Sequence, residues 1–208
     1  MGGDPDNHEY VDLGLPSGTL WATCNIGANS PEEAGLYFAW GETQGYTAEQ
    51  VGSEEGKRAF DWDNYKFGPD SAITKYNDTD GLTVLEPEDD AATVNWGEGW
   101  RMPTKEQFWE LMRLPHKWDS LRSGYSFTDA NDNELLFLFA GARAYYSYTP
   151  IPGKFGYYWT NSLSNYYPDY PDYFCGAYII YFNSGTCISD IFVRHVGNTV
   201  RPVRSKNI

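Results

Sequence analysis

The chain has 208 residues, of which 41% are apolar and 17% aromatic, and this composition indicates a folded domain with a substantial core and excludes a disordered chain. The formal net charge of −14 argues against nucleic acid or anionic lipid as a partner, because both are bound through clusters of Lys and Arg. Cys24, Cys175 and Cys187 form no C-x-x-C pair, so no zinc framework is indicated, and a Cys175–Cys187 bridge and free thiols both stay open.

No part of the chain approaches the ~20 consecutive apolar residues of a membrane-spanning helix, so we expect no transmembrane segment. The first residues lack the basic and apolar regions of an export signal, which fits a cytoplasmic chain or one whose signal has been removed. Residues 1–9 are polar and predict a flexible N-terminus, followed by one domain over residues 10–208.

From Tyr10 onward, short apolar runs alternate with turns and predict a β-hairpin over residues 10–25. Residues 30–33 predict a short helical turn before a strand at 36–40. Residues 43–80 have no sustained period and predict a long surface excursion, and the acidic residues 86–92 predict a solvated turn or short helix.

The clearest helix signal follows Pro103. Thr104 can cap this helix, Gln107 can reach back to complete the cap, and Phe108 and Leu111 place an apolar stripe inward. Residues 125–128 and 135–139 then predict a hairpin, and further strands are predicted at 156–159, 178–182, 186–189 and 199–203. Few helices and many short strands predict an α+β domain.

The sequence gives little support for a metal site or a catalytic triad. Asp129, Asn131 and Asn133 match the first three ligand positions of a calcium loop, but the Gly and the distal Glu of that loop are absent, so a turn is expected. The three His lie in unrelated contexts without helix-spaced partners. We therefore expect no cofactor and no metal.

The last quarter of the chain is depleted in particular residue types. Between Thr160 and Ser205 there is no Lys, Glu, Gln, Met or Trp, although these types supply 34 of the 208 residues and a proportional share would be roughly seven. Tyr, Asn, Ser, Asp and Gly are abundant instead, as in surfaces that bind through rigid aromatic area and adaptable polar groups. An AAY codon for Asn, randomised at its first two bases, reaches every amino acid except the same five. A diversified binding face and an ordinary Tyr- and Ser-rich sheet segment both account for the depletion.

Residues 11–42, 95–104 and 197–203 resemble the Fibrobacter succinogenes major paralogous domain family, through motifs such as Val-Asp-Leu-Gly-Leu, Trp-Arg-Met-Pro-Thr and Thr-Val-Arg-Pro-Val. Trp-Arg-Met-Pro-Thr before a capped helix is also similar to an element of sulfatase-modifying-factor domains, whose fold is C-type-lectin-like. The resemblance implies a C-type-lectin-like α+β fold with many short antiparallel strands.

The same group includes the variable proteins of diversity-generating retroelements, in which a C-terminal region is diversified at adenines of Asn codons. Their final segment carries a fixed Arg before Gly-Phe-Ser-Val-Arg-Pro-Val, and Arg194, Gly197 and residues 200–203 match that frame. Asn198 stands where Phe is usual. The resemblance implies a variable region at about residues 160–200.

The candidate ligand contacts are the positions within this region that depart from the frame or lie in its Tyr-rich part. They are Asn161, Ser164, Asn165, Tyr166, Tyr167, Asp169, Tyr170, Asp172, Tyr173, Cys175, Ala177, Asp190, Ile191, Phe192, His195, Val196 and Asn198. Residues 165–173 are the best candidate loop, because two Pro limit its conformers and Tyr rings offer large contact area. An aromatic lid packed on its own domain, and an ordinary core role for Ile191, Phe192 and Val196, are the alternatives.

The expected function is ligand binding of the receptor or adhesin type, without catalysis, by a protein that is secreted or displayed on a cell surface. The expected partner is a protein or glycan, and not nucleic acid. A non-diversified carbohydrate-binding or adhesion module is the alternative. A formylglycine-generating-type oxidase is less favoured, because Cys175 and Cys187 lie twelve positions apart in a context unlike the reactive cysteine pair of those enzymes.

Overall fold

The computed structural model describes residues 8–51, 59–144, 152–164 and 176–206. These residues form a mixed α+β domain with two α-helices and mostly antiparallel strands, which confirms the predicted α+β class. Both described helices are too short and too polar to cross a lipid bilayer.

The first sheet joins the two ends of the described chain. Strands β1 (Tyr10–Asp12) and β2 (Thr19–Ala22) form the predicted hairpin, and β11 (Val203–Ser205) pairs antiparallel with β2 on its other side. Trp21 is fully buried and pairs with residues of both neighbouring strands.

The segment after β3 (Tyr37–Phe38) is not the surface excursion that its irregular pattern predicts. Its described part contains two short 3₁₀ turns, Trp62–Asn64 and Asp70–Ala72, and it buries four aromatic side chains in the core: Phe60, Tyr65, Phe67 and Tyr76. The rings enter the core one at a time from irregular backbone, so they leave no periodic signal in the sequence. Residues 30–33 form a turn and not a helix.

The acidic segment is also less solvated than predicted. A 3₁₀ turn at Pro87–Asp89 leads into helix α1 (Ala91–Trp96), and Asp89 and Asp90 are both buried. The Asp89 carboxylate accepts hydrogen bonds from two lysines and a tyrosine that lie elsewhere in the sequence, and Asp90 caps α1 by accepting from the Ala92 nitrogen, so each buried carboxylate has hydrogen-bond donors.

Helix α2 (Lys105–Leu111) begins with the predicted capping box between Thr104 and Gln107. Three strands follow as an antiparallel sheet: β4 (His116–Asp119), β5 (Gly124–Thr128) and β6 (Glu134–Leu138). Between β5 and β6, the Asp129 carboxylate accepts bonds from the backbone nitrogens of Asn131 and Asn133 at 2.8 and 2.9 Å. This is the turn that the sequence predicts.

The largest described sheet has the strand order β3-β10-β7-β8-β9. Its long strands are β7 (Gly156–Leu163), β8 (Gly176–Asn183) and β9 (Thr186–Val193), and the short β10 (Asn198–Thr199) runs parallel to β7. Trp159 and Ile179 pack into a core on one side of this sheet, and Tyr158 and Ile180 pack into a second core on the other. Strand β9 forms an edge of the sheet as described.

Candidate functional site

A group of partly buried aromatic side chains lies on one side of β7, β8 and β9. Tyr157 pairs with Tyr181, which pairs with Ile188, and residues directly opposite in an antiparallel sheet share a face. Phe192 lies four residues beyond Ile188 on β9, and side chains alternate between the two faces of a strand, so Phe192 points to the same face as Ile188. We call this surface the ring face, and its members are Phe155, Tyr157, Tyr181, Ile188, Asp190 and Phe192.

The four rings of the ring face contact one another across the three strands. The ring centroids of Tyr157 and Phe192 are 5.1 Å apart at an interplanar angle of 27°, and those of Tyr157 and Tyr181 are 5.2 Å apart at 56°. Phe155, just before β7, stacks on Tyr181 at 6.1 Å. Each ring is held by its neighbours, so little side-chain entropy remains to be lost when a ligand covers the group.

Exposure rises toward the edge strand. In one row of paired residues, Trp159 and Ile179 are buried whereas Asp190 on β9 is exposed. In the next row, Tyr157 and Tyr181 are half-buried and Ile188 is 43% exposed. On the ring face, Ile188 and Asp190 are therefore exposed and the four rings are partly exposed, and Asp190 is its one charged member.

The end of β9 is fixed to the core by a buried arginine. Arg194 is 2% exposed, and its Nη2 donates to the carbonyl oxygen of Tyr76 at 2.8 Å. Its guanidinium lies 5.3 Å from the Trp40 ring centroid, and the Trp40 backbone nitrogen donates to the Arg194 carbonyl at 2.8 Å. This anchoring holds Asp190 and Phe192 on a rigid strand.

His195 follows the anchor and packs against Trp62, with ring centroids 4.5 Å apart. Its Nδ1 is buried and has no hydrogen-bond partner in the part of the chain that the structure describes. Burial lowers the pKa of His195 below its usual value, and the nearby carboxylates of Asp61 and Asp70 oppose this shift. His195 is therefore neutral at pH 7.

The structure separates the remaining candidate contacts into three groups. Eight lie outside the described residues: Asn165, Tyr166, Tyr167, Asp169, Tyr170, Asp172, Tyr173 and Cys175. Ile191 points to the side of β9 opposite Asp190 and Phe192 and is half-buried. Asn161 and Ser164, at the end of β7, are only 5% and 6% exposed.

Five candidates are therefore buried, namely Asn161 and Ser164 together with Ala177, Val196 and Asn198, which corrects the expectation that they lie on an outer surface. Ala177 and Asn198 have no exposed area, and Val196 is 7% exposed. Ala177 lies between Leu163 and Phe192 in the middle of the sheet, and β10 places Asn198 between β3 and β7. Side chains that are buried in this way cannot contact a ligand unless the groups packed over them move.

Four members of the ring face were not among the sequence candidates, namely Phe155, Tyr157, Tyr181 and Ile188. The predicted strands at 156–159 and 178–182 contained the necessary signal, since tyrosines at alternate strand positions share one face. Strand alternation alone does not indicate which face of the sheet is less buried by the rest of the domain.

The described cysteines carry no disulfide. Cys24 and Cys187 are free thiols, and Cys175 lies outside the described residues. Burial raises the pKa of the Cys187 thiol to about 12, which keeps it protonated at neutral pH.

Comparisons with known proteins identify no relative: no family model, no curated protein and no solved structure matches this chain.

Proposed function

We propose that this chain is a non-catalytic ligand-binding protein of C-type-lectin-like fold, secreted or displayed on a cell surface, whose C-terminal region presents a diversified recognition surface. The supporting observation is the ring face, where Asp190 and Phe192, both singled out in the sequence, lie with Tyr157 and Tyr181 on a rigid and accessible edge of the sheet. Rigid aromatic area beside a polar group is the kind of surface that concentrates binding energy in a few residues.

The proposal assigns stability and specificity to different residues. Arg194 and Arg201 are buried and donate hydrogen bonds to Tyr76 and Asn25, and these bonds involve no side chain of the ring face. A binding scaffold that varies its contacts needs this division.

A binding screen tests the proposal directly. The wild-type protein is applied to arrays of glycans and of secreted proteins, and each ligand found is remeasured with Phe192→Ala and with the control Trp109→Ala, which removes an aromatic that is 42% exposed on α2. We expect Phe192→Ala to weaken binding by roughly tenfold or more and the control to leave it unchanged. Ligands that bind both variants equally well would contradict the proposal.

The diversification part has a separate test in the gene. A near-copy of the 3′ end of the gene, differing from it only where the copy has adenine and lying beside a reverse transcriptase gene, is the expected finding. Its absence from the genome would remove diversification and leave ligand binding as a fixed property.

A fixed carbohydrate-binding module is the second candidate, and the half-buried rings of Tyr157 and Tyr181 favour it, because aromatic platforms stack on sugar faces. In that case glycans would be the main ligands on the arrays, and Tyr181→Ala, Tyr166→Ala or Tyr170→Ala would abolish the signal. An oxidase of the formylglycine-generating type is disfavoured by the protonated Cys187 thiol.

A further inference from the structure

A second potential binding site lies at the other end of β7. A cleft of about 580 Å³ is bounded by Val84 and Pro87 on one side and by Trp100 and Arg101 on the other, and Asn161 lines it. The backbone of Asn161 is fixed in place, since its nitrogen donates to the Pro103 carbonyl at 2.8 Å and its carbonyl accepts from the Leu85 nitrogen at 3.0 Å. The volume lies in the range of small-molecule sites, and the cleft shares no residue with the ring face.

Asn161 offers the cleft a hydrogen-bond donor. The residue is 95% buried, since only 5% of its surface is exposed, and Ser162 Oγ donates to its Oδ1 at 3.2 Å. Ser162 Oγ itself accepts from the Lys105 nitrogen, which leaves the hydroxyl proton for Asn161 and orients the amide. The Nδ2 of Asn161 then has no partner among the described residues. This nitrogen is therefore available to an acceptor bound in the cleft.

Arg101 supplies further donors in the same cleft. Its Nη1 donates to the Met102 carbonyl at 3.1 Å and to Gln107 Oε1 at 2.8 Å, and these bonds hold the guanidinium plane. Neither Nε nor Nη2 has a partner in the described part of the chain. The planar group thus keeps two donors available for an acceptor with two oxygens.

Two carboxylates, those of Asp90 and Glu98, also line the cleft. Asp90 is buried, and its carboxylate accepts from three backbone nitrogens: Ala92 and Thr93 donate to Oδ1, and the single Met102 N–H is shared between Oδ1 and Oδ2. Glu98 also lines the cleft but is exposed to solvent, which screens its charge.

We propose that this cleft binds a small monocarboxylate with an apolar body, whose oxygens accept from Asn161 Nδ2 and the Arg101 guanidinium while the apolar part packs on Val84 and Pro87. A single arginine near Asp90 and Glu98 does not supply the positive charge that a phosphate needs, and the free donors disfavour a cation. The cleft is a site additional to the ring face and does not depend on it.

Three probes of similar size separate the relevant chemistries: phenylacetate, neutral 2-phenylethanol and cationic phenethylamine. Each is titrated into the full chain labelled with ¹⁵N, and the side-chain resonances of Asn161 and Arg101 are followed. We expect phenylacetate to produce saturable chemical-shift changes. The affinities for the other two probes should be at least about tenfold weaker than that for phenylacetate, since each of them loses a charge-assisted hydrogen bond. Equal binding of 2-phenylethanol, or tighter binding of phenethylamine, would overturn the proposal.

Variants of similar shape locate the effect. Asn161→Asp keeps the acceptor for Ser162 and replaces the donor by a carboxylate, so phenylacetate should bind at least about tenfold more weakly. Asn183→Asp adds the same charge at the far end of β8 and should leave the affinity unchanged. Glu98→Gln, an exposed substitution that does not threaten the fold, should tighten binding. Equal effects of Asn161→Asp and Asn183→Asp, or weaker binding by Glu98→Gln, would refute the assignment.

Discussion

Two isoleucines on the same side of the large sheet test whether the ring face can vary without loss of the fold. Ile179 on β8 is 1% exposed, and Ile188 on β9 is 43% exposed. Substitution of each by Thr keeps a β-branched side chain, so intrinsic strand propensity changes little. The difference between the two variants therefore reports on burial.

The magnitudes follow from what each side chain contacts. Shortening Ile179 to the size of Val costs about 1 kcal/mol, and placing a hydroxyl without a partner in the core adds about 2 kcal/mol, for a total of about 3 kcal/mol. At Ile188 the hydroxyl is solvated and only part of the lost methyl was buried, so the cost is about 0.5 kcal/mol or less.

Urea unfolding followed by circular dichroism measures both values, with equal slopes for the two variants. For a chain of this length the difference corresponds to roughly 5–10 °C in melting temperature. If Ile188→Thr lost as much stability as Ile179→Thr, the ring face would be part of the core, and the proposed separation of fold and recognition would be wrong.

Three further outcomes are expected. Burial alone would raise the pKa of Asp89, but its lysine and tyrosine donors lower the pKa below the usual 3.8. The ionised Asp89 therefore stabilises the fold above about pH 4, and this stabilisation is lost as the pH falls through the lowered pKa. The urea midpoint of Asp89→Asn should change less with acidification than that of the wild type. Replacing Cys24 and Cys175 by Ser leaves the thiol of Cys187 as the one reactive group. This thiol should react with a disulfide reagent on the order of a hundredfold more slowly in the folded than in the unfolded chain, because burial keeps the thiol protonated. Equal rates would show that the Cys187 thiol is accessible in the folded chain. Asn198→Leu should raise the free energy of unfolding by about 1 kcal/mol, since both polar atoms of the buried Asn198 amide lack hydrogen-bond partners among the described residues, and destabilisation would show that this amide makes a stabilising hydrogen bond.

The elements that could be predicted from the sequence are those whose signals are local. The capping box at Thr104 and Gln107 lies within four residues, and the hairpin turn at Asp129 is closed by its own side chain. The burial of Tyr76 and Asp89 could not be predicted in this way, because Tyr76 donates to Asp89 thirteen positions away and that bond is what makes both residues suited to the interior.

The candidate site was only partly predictable for a different reason. The sequence predicts ligand contacts throughout residues 190–198, but β9 extends to Val193 and a turn follows it. Strand alternation places Asp190 and Phe192 on one face and Ile191 on the other, and the turn leads Asn198 into the centre of the sheet. The predicted end of this strand at residue 189 was four positions too early, and that difference decides which side chains are accessible.

The charge of the ring face follows from the use of arginine in the final part of the chain. Between Thr160 and Ser205 the lysines are absent, and the three arginines contact the interior or aromatic rings. Arg194 bonds to the Tyr76 carbonyl, Arg201 bonds to Asn25, and Arg204 lies over the rings of Tyr10 and Trp100. None of them contributes positive charge to the ring face, where Asp190 is the charged member. Because that charge is negative and the whole chain is acidic, the surface favours neutral or cationic ligands with apolar area over polyanions.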